Sequence, residues 1–216
     1  DISGPDGVPD GVIDDYDKTN IGSPMPKFTF GWTNTFRYKN FDLSVFINGS
    51  YGNKVYNYLS MKLTHMNSPW TNQLNAVNGR AQLVPINPNK VYEDGTMWYN
   101  DVSNVMVANP GASIPRATIN DPNDNDRISD RYIEDGSYIR LKNISLGYTF
   151  PKKTIDKLGP SNLRIYANIQ NLLTITGYDG YDPEIGASTS SVNVYGLDNG
   201  RYPSPTVYSF GLNVSF

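Results

Sequence analysis

Residues 206–216 read Thr-Val-Tyr-Ser-Phe-Gly-Leu-Asn-Val-Ser-Phe, and this stretch decides the fold. Every second residue is large and apolar, and these are Tyr208, Phe210, Leu212, Val214 and Phe216. The residues between them are small and mostly polar, and strict alternation is typical of a strand with two different faces. A tilted strand needs about 9–11 residues to cross a bilayer. The stretch therefore predicts a membrane-spanning strand, and a buried strand of a soluble sandwich is the alternative.

The two ends of the chain give an expectation about its completeness. The chain ends on Phe216, which has the apolar parity, and it begins at Asp1 in a loop rich in Asp and Gly. The last residues of a soluble domain usually fray, whereas the last strand of a barrel must pair so that no sheet edge is left. We therefore expect a carboxyl-terminal piece of a longer polypeptide.

Composition limits the class of protein. The chain has 216 residues, no Cys, 16 Tyr and a net charge of −3. Many short segments separated by Gly, Pro and Asn predict an all-β fold. No run of about 18 apolar residues occurs, so no membrane-spanning helix is predicted. The absence of Cys excludes a disulfide scaffold, and the mild acidity argues against a nucleic-acid partner.

Alternating patterns predict five antiparallel strands, at 27–38, 40–50, 138–150, 162–172 and 206–216. Each predicted strand has one apolar and one polar parity, which is the pattern of lipid-facing and lumen-facing sides in a transmembrane barrel. Arg140 and Lys142 interrupt the apolar parity of the third strand. We expect them to lie beyond the bilayer or to follow a β-bulge.

The connections between the strands alternate in length. Short joins at 39–40 and 151–161 separate the long segments, which are 1–26, 51–137 and 173–205. Outer-membrane barrels have short periplasmic turns and long extracellular loops, so the three long segments are predicted to be extracellular. Five strands leave two sheet edges, and we expect the remaining strands to lie upstream.

An Asp-rich segment, 6–17, follows the spacing of a calcium-binding loop. Gly11 stands at the tight-turn position, and the candidate ligands are Asp6, Asp10, the carbonyl of Val12, Asp14 and Asp17. Val8 replaces the usual acid at the third position, and the last ligand is Asp rather than Glu. The segment is a candidate Ca²⁺ site, and a solvated acidic turn is the alternative. No other cofactor is predicted.

The remaining titratable residues give no catalytic set. The single His65 has no Glu, Asp or Cys at ligand spacing, and a packing or surface role is predicted for it. Residues 121–126 are acidic, but Asp126 stands where a calcium loop needs Gly, so no ion site is predicted there. Asp182 and Glu184 flank a Pro and are expected to shape a loop, either solvated or bonded to backbone amides. We therefore predict that the chain is not an enzyme.

Two groups of side chains are candidates for contact with a solute or partner. Arg164 and Gln170 have the polar parity of the fourth strand and are predicted to face the lumen. Four aromatic residues in the long segment 51–137 are candidates for touching substrate or a partner protein, with packing within the loop as the alternative. They are Trp70, Tyr92, Trp98 and Tyr99.

Several short motifs resemble those of one family, the SusC-like TonB-dependent transporters. The motifs are Asp-Gly-Val-Ile-Asp-Asp-Tyr-Asp (10–17), Ile-Gly-Ser-Pro-Met-Pro-Lys-Phe (21–28), Tyr-Lys-Asn-Phe-Asp-Leu-Ser (38–44), Tyr-Ile-Arg-Leu-Lys-Asn-Ile-Ser-Leu-Gly-Tyr (138–148), Asn-Ile-Gln-Asn-Leu (168–172), Gly-Tyr-Asp-Pro-Glu (180–184), Tyr-Pro (202–203) and Gly-Leu-Asn-Val-Ser-Phe (211–216). Each is weak alone, but together they follow the family order across nearly the whole chain.

The resemblance implies a large plugged barrel of the 22-stranded kind in the outer membrane of a Gram-negative bacterium. This chain would supply its last five strands, in contact with membrane lipids. A SusD-like lipoprotein would cover the extracellular side, and the pair would take up glycans or oligopeptides. A TonB complex would act on the plug, and neither the plug nor the TonB box lies in this sequence.

Two other functions stay open at this level. A soluble β-sandwich could bind carbohydrate on exposed aromatic rings, and it would fold alone in water. A passive porin would have the same strands but no energised plug. Nothing in the sequence identifies the nutrient.

Overall fold

The computed structural model describes residues 1–121, 123–157, 159–184 and 195–216. Residues 185–194 of the predicted loop 173–205 lie outside this description, as do residues 122 and 158. The chain divides into two compact units. The first, the sheet unit, comprises Asp1–Tyr56 and Ser129–Phe216, and the second, the loop unit, is Asn57–Ile128.

Strands dominate the described residues. In chain order they are β1 (Phe28–Tyr38), β2 (Phe41–Tyr51), β3 (Lys54–Asn57), β4 (Leu83–Pro85), β5 (Val105–Val107), β6 (Ile133–Asp135), β7 (Tyr138–Thr149), β8 (Asn162–Thr176), β9 (Leu197–Asp198) and β10 (Val207–Ser215). The α-helices are α1 (Tyr58–Thr64) and α2 (Lys152–Ile155). Short 3₁₀ turns cover Asp15–Asp17, Asn75–Gly79, Trp98–Asn100, Val102–Asn104 and Asp130–Tyr132. No helix in the described part of the chain has the length and apolar character to span a membrane.

The five long strands form one antiparallel sheet in the order β1-β2-β7-β8-β10. Lys39, in the tight β1–β2 turn, has a left-handed φ of 53°. β8 continues to Thr176, beyond the predicted end at 172, because it stays paired with β7 as far as Tyr138. Within the described residues β1 and β10 are the sheet edges.

The register gives the sheet one apolar and one polar face. One row across the five strands of the apolar face is Phe36, Leu43, Leu146, Ala167 and Phe210. The adjacent row lies on the opposite face and is Arg37, Asp42, Gly147, Tyr166 and Gly211. Because successive side chains of a strand point to opposite faces, the alternation in sequence becomes two chemically different surfaces.

The apolar face is exposed rather than packed into a core. Phe210 is 84% exposed and Leu212 is 60% exposed. Other large residues of this face, such as Trp32, Phe36 and Tyr208, are also exposed. The buried hydrophobic residues in the described part of the chain are Val55, Met61, Tyr132, Ile155 and Tyr178, none of which lies in the five long strands. A large exposed apolar surface marks contact with a membrane or another protein. This arrangement counts against a soluble sandwich, whose inner faces would pack on each other.

Two β-bulges meet in the middle of β7. Relative to β2, β7 has one extra residue at Lys142, and relative to β7, β8 has one extra residue in the Asn171–Leu172 region. Asn171 has a left-handed φ of 51°. A one-residue insertion moves the following side chains to the other face. Arg140 therefore pairs with Asn48 on the polar face, as the bulge alternative predicted.

The predicted loop segments contain small elements that the sequence pattern does not indicate. β6, β3 and β9 form a three-stranded sheet in the sheet unit, and β4 pairs with β5 in the loop unit. These strands have two to four residues. A strand this short is too brief to show a periodic pattern.

Candidate functional site

The polar face of the sheet is built from hydroxyl and amide side chains. One row across it is Thr35, Ser44, Ser145, Asn168 and Ser209. The side-chain oxygens of Asn48 and Asn168 are buried and have no hydrogen-bond partner among the described residues. Buried polar atoms in proteins are nearly always bonded to protein or water. This face is therefore suited to contact with water or with a further polar segment of protein.

An ion pair crosses β7 on this face. Arg164 Nη2 on β8 lies 2.6 Å from Asp42 Oδ2 on β2, and Arg164 Nε donates to Asp42 Oδ1 at 3.2 Å. Gly147 of β7 lies beneath the pair, and a Cβ atom there would come within 2.2 Å of Arg164 Nη2. Gln170 lies on the same face and is exposed. That Arg164 and Gln170 line a lumen stays a prediction.

A buried cluster holds the loop after β8 against the end of the sheet. Arg140 Nη1 donates to Glu184 Oε2 at 2.6 Å, and Nη2 is bonded to Asp182 Oδ1. Arg140 Nε also donates to Thr174 Oγ1 at 2.8 Å. Lys142 Nζ lies 2.6 Å from the same Glu184 oxygen. The side chains of Arg140 and Asp182 are 3% and 5% exposed, so the charges are compensated by each other.

Asp182 is the centre of this cluster. Its carboxylate also accepts hydrogen bonds from the backbone N–H of Glu184 and of Ser204, each at 2.9 Å. Burial alone would raise the pKa of Asp182, but the bonds from Arg140, Ser204 and Glu184 hold it below its ordinary value. The expected bonding to backbone amides is present. Its pairing with Arg140, 42 residues away, is not visible in the sequence beyond the interrupted parity.

A second buried contact lies in the same loop. The Tyr178 hydroxyl donates to Asp198 Oδ2 at 2.5 Å, and Asp198 is fully buried. Burial, with the hydrogen bond to Asp198, raises the pKa of the Tyr178 hydroxyl well above its ordinary value. This contact joins the two described parts of the loop, 177–184 and 195–205, to each other, and the Arg140–Asp182 cluster joins them to β7.

The four loop aromatic residues do different things. Trp98 and Tyr99 pack edge to face, with ring centroids 5.7 Å apart. The Tyr92 hydroxyl donates to Asp101 Oδ2 at 2.9 Å, which fits the packing alternative. Trp70 is 92% exposed and is available to a solute or partner. That these residues touch a substrate or partner stays a prediction.

His65 has acidic partners that spacing did not reveal. Nε2 lies 2.8 Å from Asp121 Oδ2, and Nδ1 lies 3.8 Å from Asp126 Oδ2. Burial opposes ionisation, but hydrogen bonds from Asn125 and His65 lower the pKa of Asp121 below its ordinary value. Spacing along the sequence does not reveal these partners, because the fold of the loop unit brings together residues 56 positions apart. The packing or surface role of His65 stays a prediction.

The acidic groups of segment 6–17 bond mainly to nearby backbone amides. Asp10 Oδ1 accepts from the N–H of Val12 at 2.9 Å, and Asp14 Oδ1 accepts from Tyr16 at 2.8 Å. Asp17 accepts from Asp14 at 2.8 Å and, with Ile2 and Ser3 as further donors, its pKa is lowered to about 2. These are the contacts of the acidic-turn alternative. The Ca²⁺ site on Asp6, Asp10, Val12, Asp14 and Asp17 stays a prediction.

The chain has a sheet with an exposed apolar face and a polar face, with the loop after β8 bonded to one end of the sheet. It is similar to a segment of the SusC-like TonB-dependent transporters, as the motifs indicated. No protein-family model matches the chain. It is 35% identical to TonB-dependent receptor P3 of Formosa agariphila, across 95% of the chain and 18% of that receptor. It is 29% identical to TonB-dependent receptor SusC of Bacteroides thetaiotaomicron, across 95% of the chain and 17% of SusC.

Solved structures show the same fold. The RagAB peptide importer in its open-open state matches with a TM-score of 0.67 at 20% identity, over all of this chain and 20% of that one. The closed-closed state matches with a TM-score of 0.64 over 99% of this chain. The chain spans about a fifth of the length of the relatives it matches. The relatives bear the names of receptors and importers, not of enzymes.

Proposed function

We propose that this chain is the last five strands of the 22-stranded, plugged barrel of a nutrient importer in the outer membrane. The observation that carries the proposal is the sheet itself. One face presents exposed Trp32, Phe210 and Leu212, while the other presents hydroxyls, amides and the Arg164–Asp42 pair. In the barrel, lipid contacts the apolar face, and a plug or water contacts the polar face. The three long segments, 1–26, 51–137 and 173–205, are extracellular in this proposal.

The substrate class is a glycan or an oligopeptide, captured with a SusD-like lipoprotein over the extracellular loops. The similarity to SusC and to the RagAB peptide importer supports this class. Uptake is energised through TonB acting on a plug encoded outside this sequence. Trp70, at 92% exposure, is the loop aromatic best placed to meet a solute or the lipoprotein.

A gene-deletion experiment tests the proposal. The strain lacking the full-length gene is grown on panels of polymeric glycans and of oligopeptides, with the corresponding monosaccharides and amino acids as controls. We expect loss of growth on one polymer class, normal growth on the monomers, and rescue by the full-length gene. Normal growth on every polymer would remove nutrient import as the function.

Two further measurements separate the alternatives. Uptake that persists in a strain without TonB would indicate a passive porin. A full-length protein found in the soluble fraction after cell lysis would indicate a soluble carbohydrate-binding module. The importer requires membrane association and TonB-dependent uptake together.

A further inference from the structure

We propose that His65, Asp121 and Asp126 of the loop unit form a binding site for a first-row transition-metal ion such as Zn²⁺. One ligand atom from each residue lies within 4.8 Å of the others. Among the described residues, these are the three His, Cys, Asp or Glu side chains that lie close enough together to share an ion. The site is independent of the proposed import function.

Local structure fixes the position of the imidazole. Helix α1 ends at Thr64, and the next residue, His65, caps it by donating its backbone N–H to the carbonyl of Met61 at 3.0 Å. The next carbonyl, that of Met66, accepts from the N–H of Thr118 at 3.3 Å and joins the helix end to the segment before Asp121. The side chain of His65 is 9% exposed. The imidazole therefore points into the unit instead of moving in solvent.

The acidic turn is fixed in the same way. Asn125 donates to both oxygens of Asp121, from its backbone N–H and from its side-chain amide, each at 2.5 Å. The N–H of Asp124 also donates to the Asp121 carbonyl at 3.0 Å. Metal ligands are commonly oriented by such outer hydrogen bonds. Asp121 is held beside the imidazole, while the half-exposed Asp126 leaves the site open on one side.

The donor atoms select the kind of ion. Imidazole nitrogen with carboxylate oxygen suits Zn²⁺ and its first-row neighbours, whereas Ca²⁺ and Mg²⁺ prefer oxygen ligands alone. Ligands lie about 2.0–2.2 Å from Zn²⁺, so two of them on a tetrahedral ion are roughly 3.3 Å apart. An ion bound to Nε2 requires the 2.8 Å contact with Asp121 Oδ2 to open by about half an ångström. It also requires the carboxylate of Asp126, which lies 3.8 Å from the other ring nitrogen, Nδ1, to turn towards the ion. Three protein ligands leave a fourth position for water or a ligand.

Charge gives a second reason. Two carboxylate side chains lie together in a partly buried site, and a divalent cation would offset their negative charge.

Metal titration of the full-length protein tests the site. The protein is purified in detergent without a histidine tag, treated with a chelator and titrated with Zn²⁺ by calorimetry and with Co²⁺ by visible absorption. The variants are His65→Gln and Asp126→Asn. Asp124→Asn is the matched control, since it makes the same charge change in the same turn outside the three ligands. Proteolysis of the metal-free proteins checks that the loop unit is folded.

The expected result is one fewer tightly bound ion per chain in His65→Gln and Asp126→Asn, or an affinity at least about tenfold weaker at one site. Asp124→Asn should bind as the natural protein does. Asp126→His replaces one Zn²⁺ ligand by another and should therefore still bind the ion. A cluster held only by hydrogen bonds would not be expected to bind Zn²⁺ in this variant. Equal stoichiometry and affinity in the natural protein and in both ligand variants would overturn the proposal.

Discussion

At the residue scale, one buried arginine organises the end of the sheet. Arg140 bonds Thr174 of β8, Asp182 and Glu184, and it lies with its guanidinium carbon 5.5 Å from the ring centroid of Tyr138. Its partners belong to strand and loop alike. Because the charges are buried, the geometry of the cluster decides whether the loop stays attached to the strands.

Replacing Arg140 by Met should destabilise the protein strongly. The change leaves Asp182 buried without its counter-charge, and breaking a buried pair in this way costs about 3–5 kcal/mol. Lys142→Met is the matched control, because Lys142 and Glu184 are partly exposed and Glu184 still has its ion pair with Arg140 in this variant. The Lys142 substitution should lower the free energy of unfolding by at most about 1 kcal/mol. Chemical unfolding of the full-length protein measures both, and equal costs would contradict the assigned role.

The attachment of the loop should depend on pH. The folded pKa of Asp182 is held below its unfolded value of about 3.9, so its contribution to stability is present above that pH. It is lost as the pH falls through the lower, folded value. Proteolysis of the loop, measured at each pH with a protease active there and divided by its rate on an unfolded substrate, should therefore accelerate towards low pH in the natural protein. Arg140→Met should show fast cleavage already at neutral pH; a pH-independent rate in both would count against the linkage.

At the scale of the strand, the bulges decide from which face of the sheet Arg140 projects. Without them Arg140 would project from the apolar face, since it has the parity of Ile144 and Leu146. The extra residue at Lys142 moves it to the polar face. Close packing sets a second requirement on β7, because Gly147 leaves the space that the Arg164–Asp42 pair occupies.

A side chain at position 147 should displace that ion pair. Gly147→Val introduces atoms where Arg164 Nη2 lies, and overpacking of this kind costs about 1–3 kcal/mol. The same substitution in an Arg164→Ala background should cost clearly less, because only the contact with Asp42 Oδ1 then remains and that side chain is no longer held by Arg164. Unfolding free energies of the four proteins form the test. An equal cost in both backgrounds would show that the pair is not what the side chain meets.

The facing of β10 can be tested with one charge on each face. Leu212→Arg places a cation on the apolar face and should cost about 2–4 kcal/mol if the residue lies near the bilayer midplane, reducing assembled barrel. Ser209→Arg, on the polar face of the same strand, is the control and should assemble nearly normally. Heat-modifiable mobility on gels measures assembly. Normal assembly of the Leu212 variant would reverse the assigned faces.

At the scale of the whole molecule, the sheet formed by the described residues is open. Its edge strands β1 and β10 each have one strand neighbour among the described residues, and its apolar face is exposed. Exposed edges invite pairing with further strands. In the proposed barrel these edges pair with further strands, and the relatives are about five times as long as the matched segment.

The native polypeptide that carries this sequence should therefore be much larger. We expect a denatured mass about five times the 24.1 kDa of this chain, by analogy with the share of each relative that it covers. Mass spectrometry of the protein isolated from membranes, with peptides mapped to residues 206–216, measures it. A mass near that of this chain, with no companion fragment before denaturation, would contradict the barrel proposal.

The sequence by itself determined the long strands and their two faces. Alternation over about ten residues, as in β1 and β10, is a local property, because neighbouring side chains of a strand always point to opposite sides. The same periodicity showed that Arg140 and Lys142 interrupt the apolar parity, and a β-bulge was one of the two explanations it suggested. The family motifs were equally local, since each is a short run of consecutive residues.

Only the tertiary structure decided which distant side chains meet. Arg140 finds Asp182 across 42 residues, Arg164 finds Asp42 across 122, and His65 finds Asp121 across 56. No spacing rule predicts these pairs, because they depend on strand order and on how the loops return to the sheet or turn within their own unit. The candidate metal site shows the consequence. His65 and residues 121–126 carry no signal separately, and folding makes them one group of ligands.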